Sequence, residues 1–372
     1  MRNISFRAIF PFSVFLILLP VLFSCELPAT GFDDVEEAIY YTKNQPVPAI
    51  LPDSTVKVMT WNIRFGIGRG EWFGDACGTK AIYTKDEVLV NLQLIVNRIN
   101  QVKPDILLLQ ELDINAKRSG YVDQLKWIMD RTDFGYAVYG LHWQAQFIPS
   151  DGLGRLHEAN AILSRWPIGH SERIQLALRG DQDKLTRYFY ERPCMVTAKI
   201  EIPGVSDFYV VNIHATAFAT DDTKSKHITA FKEELEKITG SGGWFVAGGD
   251  LNTLPPGSDS TDFCYEDICP GESFHQPGDE PQHKDGSNYT PEADWLNPFY
   301  NEYKCAVPLN EYQQNQSAYF THTTEPKNTW NRTLDYLFTS NHWRTGSTVT
   351  HQDFFYESDH AAVSSDVVLI RE

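Results

Sequence analysis

Polar clusters recur along the sequence, each closing a run of apolar residues. They are Thr60-Trp61-Asn62-Ile63-Arg64, Gln110-Glu111-Leu112-Asp113, Asn212-Ile213-His214, Gly248-Gly249-Asp250-Leu251-Asn252, Leu334-Asp335-Tyr336 and Ser358-Asp359-His360. A polar group that interrupts an apolar run is costly to bury unless it is paired or metal-bound. Carboxylates can hold a hard cation or take a proton, and imidazoles exchange protons near neutral pH. Each cluster alone has a structural explanation: Gly248-Gly249-Asp250 has ordinary turn composition, and a lone His214 reads as a satisfied core histidine. Their joint occurrence at the ends of successive apolar runs implies one shared polar site. No Ser or Cys stands in a nucleophile motif, so a covalent intermediate is not expected. No CxxC or Cys/His zinc spacing occurs either.

The apolar runs that carry these clusters read as strands over 56–63, 106–110, 161–164, 195–202, 208–213, 244–247, 334–339 and 362–369. Some alternate in polarity and others are apolar throughout, which suggests stacked sheets with helices outside. Val88, Leu92, Ile95 and Ile99 lie at helical spacing within 85–101, and the pattern ends before Pro104. Phe231, Leu235 and Ile238 repeat it within 222–239, with Gly240 as the stop. Residues 253–330 are rich in Pro, Gly, Asp and Tyr and show little period, as a substrate-facing insertion would. Its aromatics Tyr289, Trp295, Phe299, Tyr300 and Tyr303 would either pack the insertion or face a ligand.

The order of the clusters resembles the endonuclease/exonuclease/phosphatase superfamily, across essentially all of residues 54–372. The resemblance implies an α/β fold, a four-layer sandwich of two central mixed β-sheets flanked by helices. It also implies a divalent ion, usually magnesium with manganese or calcium as alternatives, and hydrolysis of a phosphate ester by an in-line water. Carried over position by position, Glu111 matches the metal-ligand glutamate, Asn62 the asparagine near that ion, and Asp359 a carboxylate of metal or leaving-group work. Asp250 matches the aspartate that orients or deprotonates the water, and Asn252 a phosphate-binding asparagine. His360 matches the histidine beside the scissile phosphate, and Asp335 the acid that orients it. His214 matches a second histidine of the deoxyribonuclease and sphingomyelinase branches, with Glu158 where the deoxyribonuclease branch places its partner. Arg192 matches a basic position of structural or phosphate-steering role. The elementary chemistry agrees. A cation on Glu111 would neutralise nonbridging charge, Asp250 would align the water, and a carboxylate-held histidine would stabilise the leaving oxygen.

The N-terminus reads as an address. Residues 1–24 carry Arg2 and Arg7 and then a short apolar run broken by Pro11 and Pro20, the layout of an export signal and a poor membrane span. Leu22-Phe23-Ser24-Cys25 resembles a bacterial lipobox, which would leave Cys25 lipidated; an ordinary signal peptide with a chance Cys is the alternative. Residues 25–53 would then be the lipidated Cys and a tether, or an extension packed on the domain. An exported, membrane-anchored lipoprotein on the periplasmic or cell-surface side is expected, as a monomer. Beyond Cys25 five cysteines remain, an odd number, and Cys264 could pair with Cys269.

Lys and Arg number 32 against 49 Asp and Glu, a net charge of −17, which disfavours a protein that wraps nucleic acid by bulk electrostatics. A lipid headgroup, an inositol phosphate and a nucleic acid all remain as phosphate-ester partners. A deoxyribonuclease-like enzyme gains from the His214/His360 pair but has no evident basic cluster for a duplex groove. A sphingomyelinase-like or inositol-phosphatase-like enzyme fits a membrane tether. An abasic-site endonuclease fits export least, and a binding lipoprotein that kept the fold without catalysis is the reading outside enzymes.

Overall fold

The computed structural model describes residues 28–43, 54–74, 77–148, 152–267, 287–324 and 329–369. In chain order its strands are β1 (Val35–Glu37), β2 (Ile39–Thr42), β3 (Thr55–Asn62), β4 (Ile106–Asp113), β5 (Tyr136–Ile148), β6 (Gly152–Ser164) and β7 (Ile168–Gln175). They continue with β8 (Cys194–Ile200), β9 (Phe208–His214), β10 (Trp244–Asp250), β11 (Lys304–Cys305), β12 (Asp335–Thr339), β13 (Val349–Thr350) and β14 (Val363–Val368). The helices are α1 (Lys85–Val102), α2 (Gln124–Met129), α3 (Lys184–Phe189), α4 (Thr223–Gly240), α5 (Asn297–Glu302) and α6 (Leu309–Gln314).

The strands form two mixed sheets of seven, ordered β13-β14-β3-β4-β6-β5-β2 and β1-β7-β8-β9-β10-β12-β11. Their inner faces meet in one apolar layer, with Val56, Val58, Ile106, Leu108 and Ile162 of the first against Val196, Phe208, Val210, Val246 and Leu337 of the second. α1 lays Val88, Leu92, Ile95 and Ile99 on the outer face of the first sheet, and α4 lays Ile228, Phe231, Leu235 and Ile238 on that of the second. The result is the expected four-layer α/β sandwich. α1 starts at a capping box, in which the Thr84 side chain receives the Glu87 N–H and the Glu87 side chain receives that of Thr84. It ends at Lys103, whose φ of 52° is left-handed. Leu92→Ala would leave a void in this layer and cost about 2–5 kcal/mol.

Register explains why the polar clusters converge. β3 runs parallel to β4 with Asn62 beside Gln110, and β9 parallel to β10 with His214 beside Asp250. β12 runs antiparallel to β10 and begins opposite it, Asp335 against Asp250. Gly248 and Gly249 are therefore interior to β10 and not a turn. A Cβ on Gly248 would lie 1.9 Å from the Tyr336 carbonyl oxygen, and one on Gly249 1.9 Å from that of Ile213. Between the sheets, buried Asn212 of β9 donates to the carbonyls of Leu109 and Ala161 at 2.9 and 2.8 Å, and accepts from Gln110 Nε2 at 2.6 Å.

Three expectations need correction. The tether is packed over its described part: β1 pairs with β7 and β2 with β5, so the segment adds an edge strand to each sheet. Cys264 is a buried thiol outside any disulfide, so it is not paired with Cys269; Cys77 is the described cysteine that is disulfide-bonded. The insertion is not uniformly open, because Phe299 and Tyr303 pack into the layer beneath α4 while Tyr289 reaches the site. Residues 1–24 and Cys25 lie outside the described residues, among which no helix is long and apolar enough to cross a membrane.

Candidate active site

The converging strand ends open into a cavity of about 310 Å³, lined among others by Glu111, Glu158, His214, Asp250, Asn252, Asp359 and His360. Asp250 is its buried centre. Asp250 Oδ1 accepts the Asn252 N–H at 2.9 Å, and Oδ2 accepts Asn62 Nδ2 at 3.1 Å. The same Oδ2 stands 3.5 Å from both His214 Nε2 and His360 Nε2. Asn252 takes a left-handed φ of 47°, turning the chain so that its amide reaches back to Asp250 and its Nδ2 donates to Ala215 O at 2.9 Å. Its carbonyl accepts from buried Lys224 at 2.7 Å, itself paired with Glu292 at 2.6 Å.

Glu111 reaches the cavity through a break in strand regularity. The β4–β6 register shifts between Leu109 and Leu112, and Glu111 has φ 52°. Its Oε1 accepts the other Asn62 Nδ2 hydrogen at 2.8 Å. Asn62 Oδ1 accepts the Arg64 N–H at 3.0 Å, so Asn62 presents its nitrogen and not its oxygen to the carboxylates. Asp359 is likewise engaged, with Oδ2 3.2 Å from Arg64 Nε and Oδ1 accepting from Ser358 Oγ. Both side chains are thus already held by partners within the protein, Asn62 by Arg64, Glu111 and Asp250 and Asp359 by Arg64 and Ser358.

His360 donates from Nδ1 to Asp335 Oδ2 at 2.8 Å, which fixes the ring with Nε2 toward Asp250. Burial works against its charge, but the Asp335 and Asp250 carboxylates outweigh it and raise the imidazole to about 10. Burial pushes Asp335 up to about 6 against the pull of His360. His214 is different: burial lowers its pKa, and its Nδ1 is buried without a partner. Its ring stacks on His142 with centroids 5.4 Å apart. His142 Nε2 lies 3.5 Å from Glu191 Oε2, and hydrogen bonds with Cys194 and Glu191 overcome burial to raise it to about 10. Glu158 comes within 4.8 Å of the His142 and His214 nitrogens, but its ion pair is with Arg118 at 2.7 Å.

Arg192 lies outside this assembly. Its guanidinium donates to the carbonyls of Arg187, Tyr188, Tyr190 and Glu191, so it braces the turn after α3. The cavity contains residues that the sequence did not single out: Arg118, His142, Glu191, His322 and the Arg332–Asp267 pair. Glu191 could have been found as the neighbour of Arg192 in ERPCMV, but His142 had no signal, because its strand was not recognised.

Cations around the cavity are matched by acids: Arg118 with Asp113 and Glu158, Arg64 with Asp359, Arg332 with Asp267. Glu111 and Asp250 are instead drawn together by one neutral amide, an oxygen-rich set that fits a hard divalent ion. Among the described residues the tight groups of possible ligands are His142-Glu158-His214, His322-Asp359-His360 and Asp250-Asp335-His360. None includes Glu111, so an ion there would complete its shell with water and substrate oxygens, as magnesium commonly does.

The description "Endonuclease/Exonuclease/phosphatase family" belongs to the family profile that matches residues 59–360. Among solved structures, an endonuclease/exonuclease/phosphatase from Beutenbergia cavernae is 18% identical, with TM-score 0.54, covering 85% of this chain and 72% of its own. A functionally unknown conserved protein from Enterococcus faecalis is 14% identical, with TM-score 0.51, covering 84% of this chain and 100% of its own. At such identities the likeness concerns the fold. No curated protein matches the chain.

Proposed function

The chain belongs to the endonuclease/exonuclease/phosphatase family, and from that premise we propose that it is a metal-dependent phosphoester hydrolase with water as nucleophile. The observation that carries this reading is Asp250 Oδ2, which faces the nitrogens of Asn62, His214 and His360 at the floor of one cavity. Glu111, with Asp250 beside it, would hold the ion, magnesium first and manganese or calcium next, which would neutralise phosphate charge. Asp250 orients a water and receives its proton. His360, its Nδ1 held by Asp335, donates from Nε2 to the phosphate or leaving oxygen. His214 and Asn252 stand beside Asp250 to contact nonbridging oxygens.

The pairing of Arg118 and Arg332 with acids favours a compact phosphate ester, a lipid headgroup or an inositol phosphate, over a duplex that needs a basic groove. Export and lipidation at Cys25 complete the proposal.

Hydrolysis of bis-p-nitrophenyl phosphate by the chain from residue 25, with and without EDTA, tests it. Activity should depend on the ion. Glu111→Gln should recover in part with excess magnesium, whereas Asp250→Asn should stay about 10²–10⁴-fold down at any magnesium concentration. A folded protein inactive on this diester and on sphingomyelin, phosphoinositides, inositol phosphates, RNA and plasmid DNA would sink the reading.

A further inference from the structure

β5 and β6 project as a long hairpin, and α3 packs on its side. Leu153 sits opposite Phe147 in the ladder and is 80% exposed. Phe147 meets Phe189 of α3 with ring centroids 5.4 Å apart, and Phe189 meets Tyr188 at 4.9 Å. One helical turn before Phe189, Leu185 is 71% exposed, and Tyr188 is 47% exposed. No residue of α3 is buried. Scattered exposed leucines are ordinary, but these side chains form one strip. Further along the strip Trp143 meets Tyr190 at 5.3 Å, and both line the catalytic cavity. An apolar surface thus runs from the cavity wall to the hairpin's outer end, with Lys117 bonded to the Leu153 carbonyl and Lys184 exposed on α3.

The path of the N-terminal segment identifies the occupant. Ala29 bridges to Ala145, the Thr30 N–H donates to Gln144 O, and the Gln146 N–H donates to Pro28 O. The described chain therefore begins on this same hairpin, three residues after Cys25. Three residues reach at most about 10 Å. Acyl chains on Cys25 would enter a bilayer within that distance of Pro28.

We propose that the strip formed by Leu153, Phe147, Phe189, Leu185 and Tyr188 is an interfacial docking surface for a lipid bilayer. It sets the cavity mouth beside the headgroups, so the substrate is taken from the membrane plane. Apolar side chains enter the acyl boundary while the flanking lysines stay among headgroups, the arrangement of interfacial proteins. The surface deepens the exported-hydrolase reading and rests on it for orientation, but it can be tested without lipidation or turnover.

The test is flotation of the chain from residue 25, carrying Cys25→Ser, with vesicles of phosphatidylcholine alone or with phosphatidylglycerol. The protein should float with vesicles, more strongly where anionic lipid is present. Leu153→Glu with Leu185→Glu should weaken binding at least about tenfold, since the interface strength scales with apolar area. Both positions are too exposed for the change to unfold the protein. Hydrolysis of soluble bis-p-nitrophenyl phosphate should be unchanged, and Val349→Glu, exposed elsewhere, should bind as the parent does. Failure of the parent to bind either vesicle, or equal binding by the double variant, overturns the surface. So does gel filtration showing a dimer that only the double variant breaks, because a second copy is then the occupant. Vesicle binding without any hydrolysis would retain the surface and reject the reaction.

Discussion

Asn62 Nδ2 donates to Asp250 Oδ2 across 3.1 Å, and the two residues close strands of different sheets. With its second hydrogen on Glu111, this one amide joins the carboxylate proposed to align the water to the carboxylate proposed to hold the ion. The distance between those two roles is thus set by how the sheets stack. The buried Asn212–Gln110 pair ties the same two sheets a little deeper in the sandwich.

Asn62→Ala should accordingly lower kcat by about 10²-fold, a loss of orientation between water and ion. It should also lower stability by about 1–3 kcal/mol, for bonds to charged groups in a buried setting. Asn62→Asp keeps the shape but puts a third carboxylate against the other two, and should be less active than the alanine variant without added metal. Parallel kcat and urea-midpoint measurements decide it: unchanged kcat in a destabilised Asn62→Ala would reduce the amide to a structural bridge.

Arg192 gives the opposite pattern. Because its guanidinium binds four backbone carbonyls, Arg192→Ala should cost about 1–3 kcal/mol of stability. KM for a soluble diester should stay within about twofold, as uniform binding of substrate does not pass through it. A several-fold rise in KM at full stability would return Arg192 to the phosphate.

His227 should make the fold acid-sensitive. Its Nδ1 accepts the Thr216 N–H at 3.2 Å while Nε2 donates to Ala177 O at 2.7 Å, an arrangement only the neutral ring can make. Burial lowers it to about 4. Between that value and the unfolded pKa of about 6.5, the unfolded chain binds more protons, so stability falls as pH falls through this window. The group contributes on the order of 3 kcal/mol across it. His351, also lowered to about 4 by burial, acts in the same direction. Urea midpoints from pH 7.5 to 4.5 should show a shallower decline in His227→Gln than in the parent. Parallel curves would refute the assignment.

The sandwich was legible because its central strands are apolar runs with polar ends, and α1 and α4 carry clean helical spacing. β5 and β7 were not, because buried polar residues such as His142 and Arg173 interrupt their apolar pattern. The N-terminal strands are too short and exposed to show a period; they exist because the sheet edges offer unpaired backbone groups. Within the site, Glu111, Asp250, Asp335, His214 and His360 came from strand-end clusters and do line or adjoin one cavity. The atoms that Asn62 and Asp359 present could not be read, since they depend on Arg64, whose left-handed φ of 45° turns it back onto both.

Asp335 and His360 should act as one unit. The carboxylate holds Nδ1 at 2.8 Å, and its other oxygen is buried without a partner, so little else is asked of Asp335 than to position and charge the ring. His360→Ala should lower kcat about 10²–10⁴-fold, the usual span for a lost general acid. Asp335→Asn should approach that loss, because an amide cannot hold the imidazolium that the carboxylate stabilises. Coupled residues give non-additive losses, so the double variant should fall little below His360→Ala. A purely structural Asp335 predicts otherwise: its variant would lose activity only in step with its unfolding midpoint, and the two losses would multiply. Measuring kcat and midpoints for both singles and the double at saturating magnesium separates these outcomes, and multiplicative losses would break the pair.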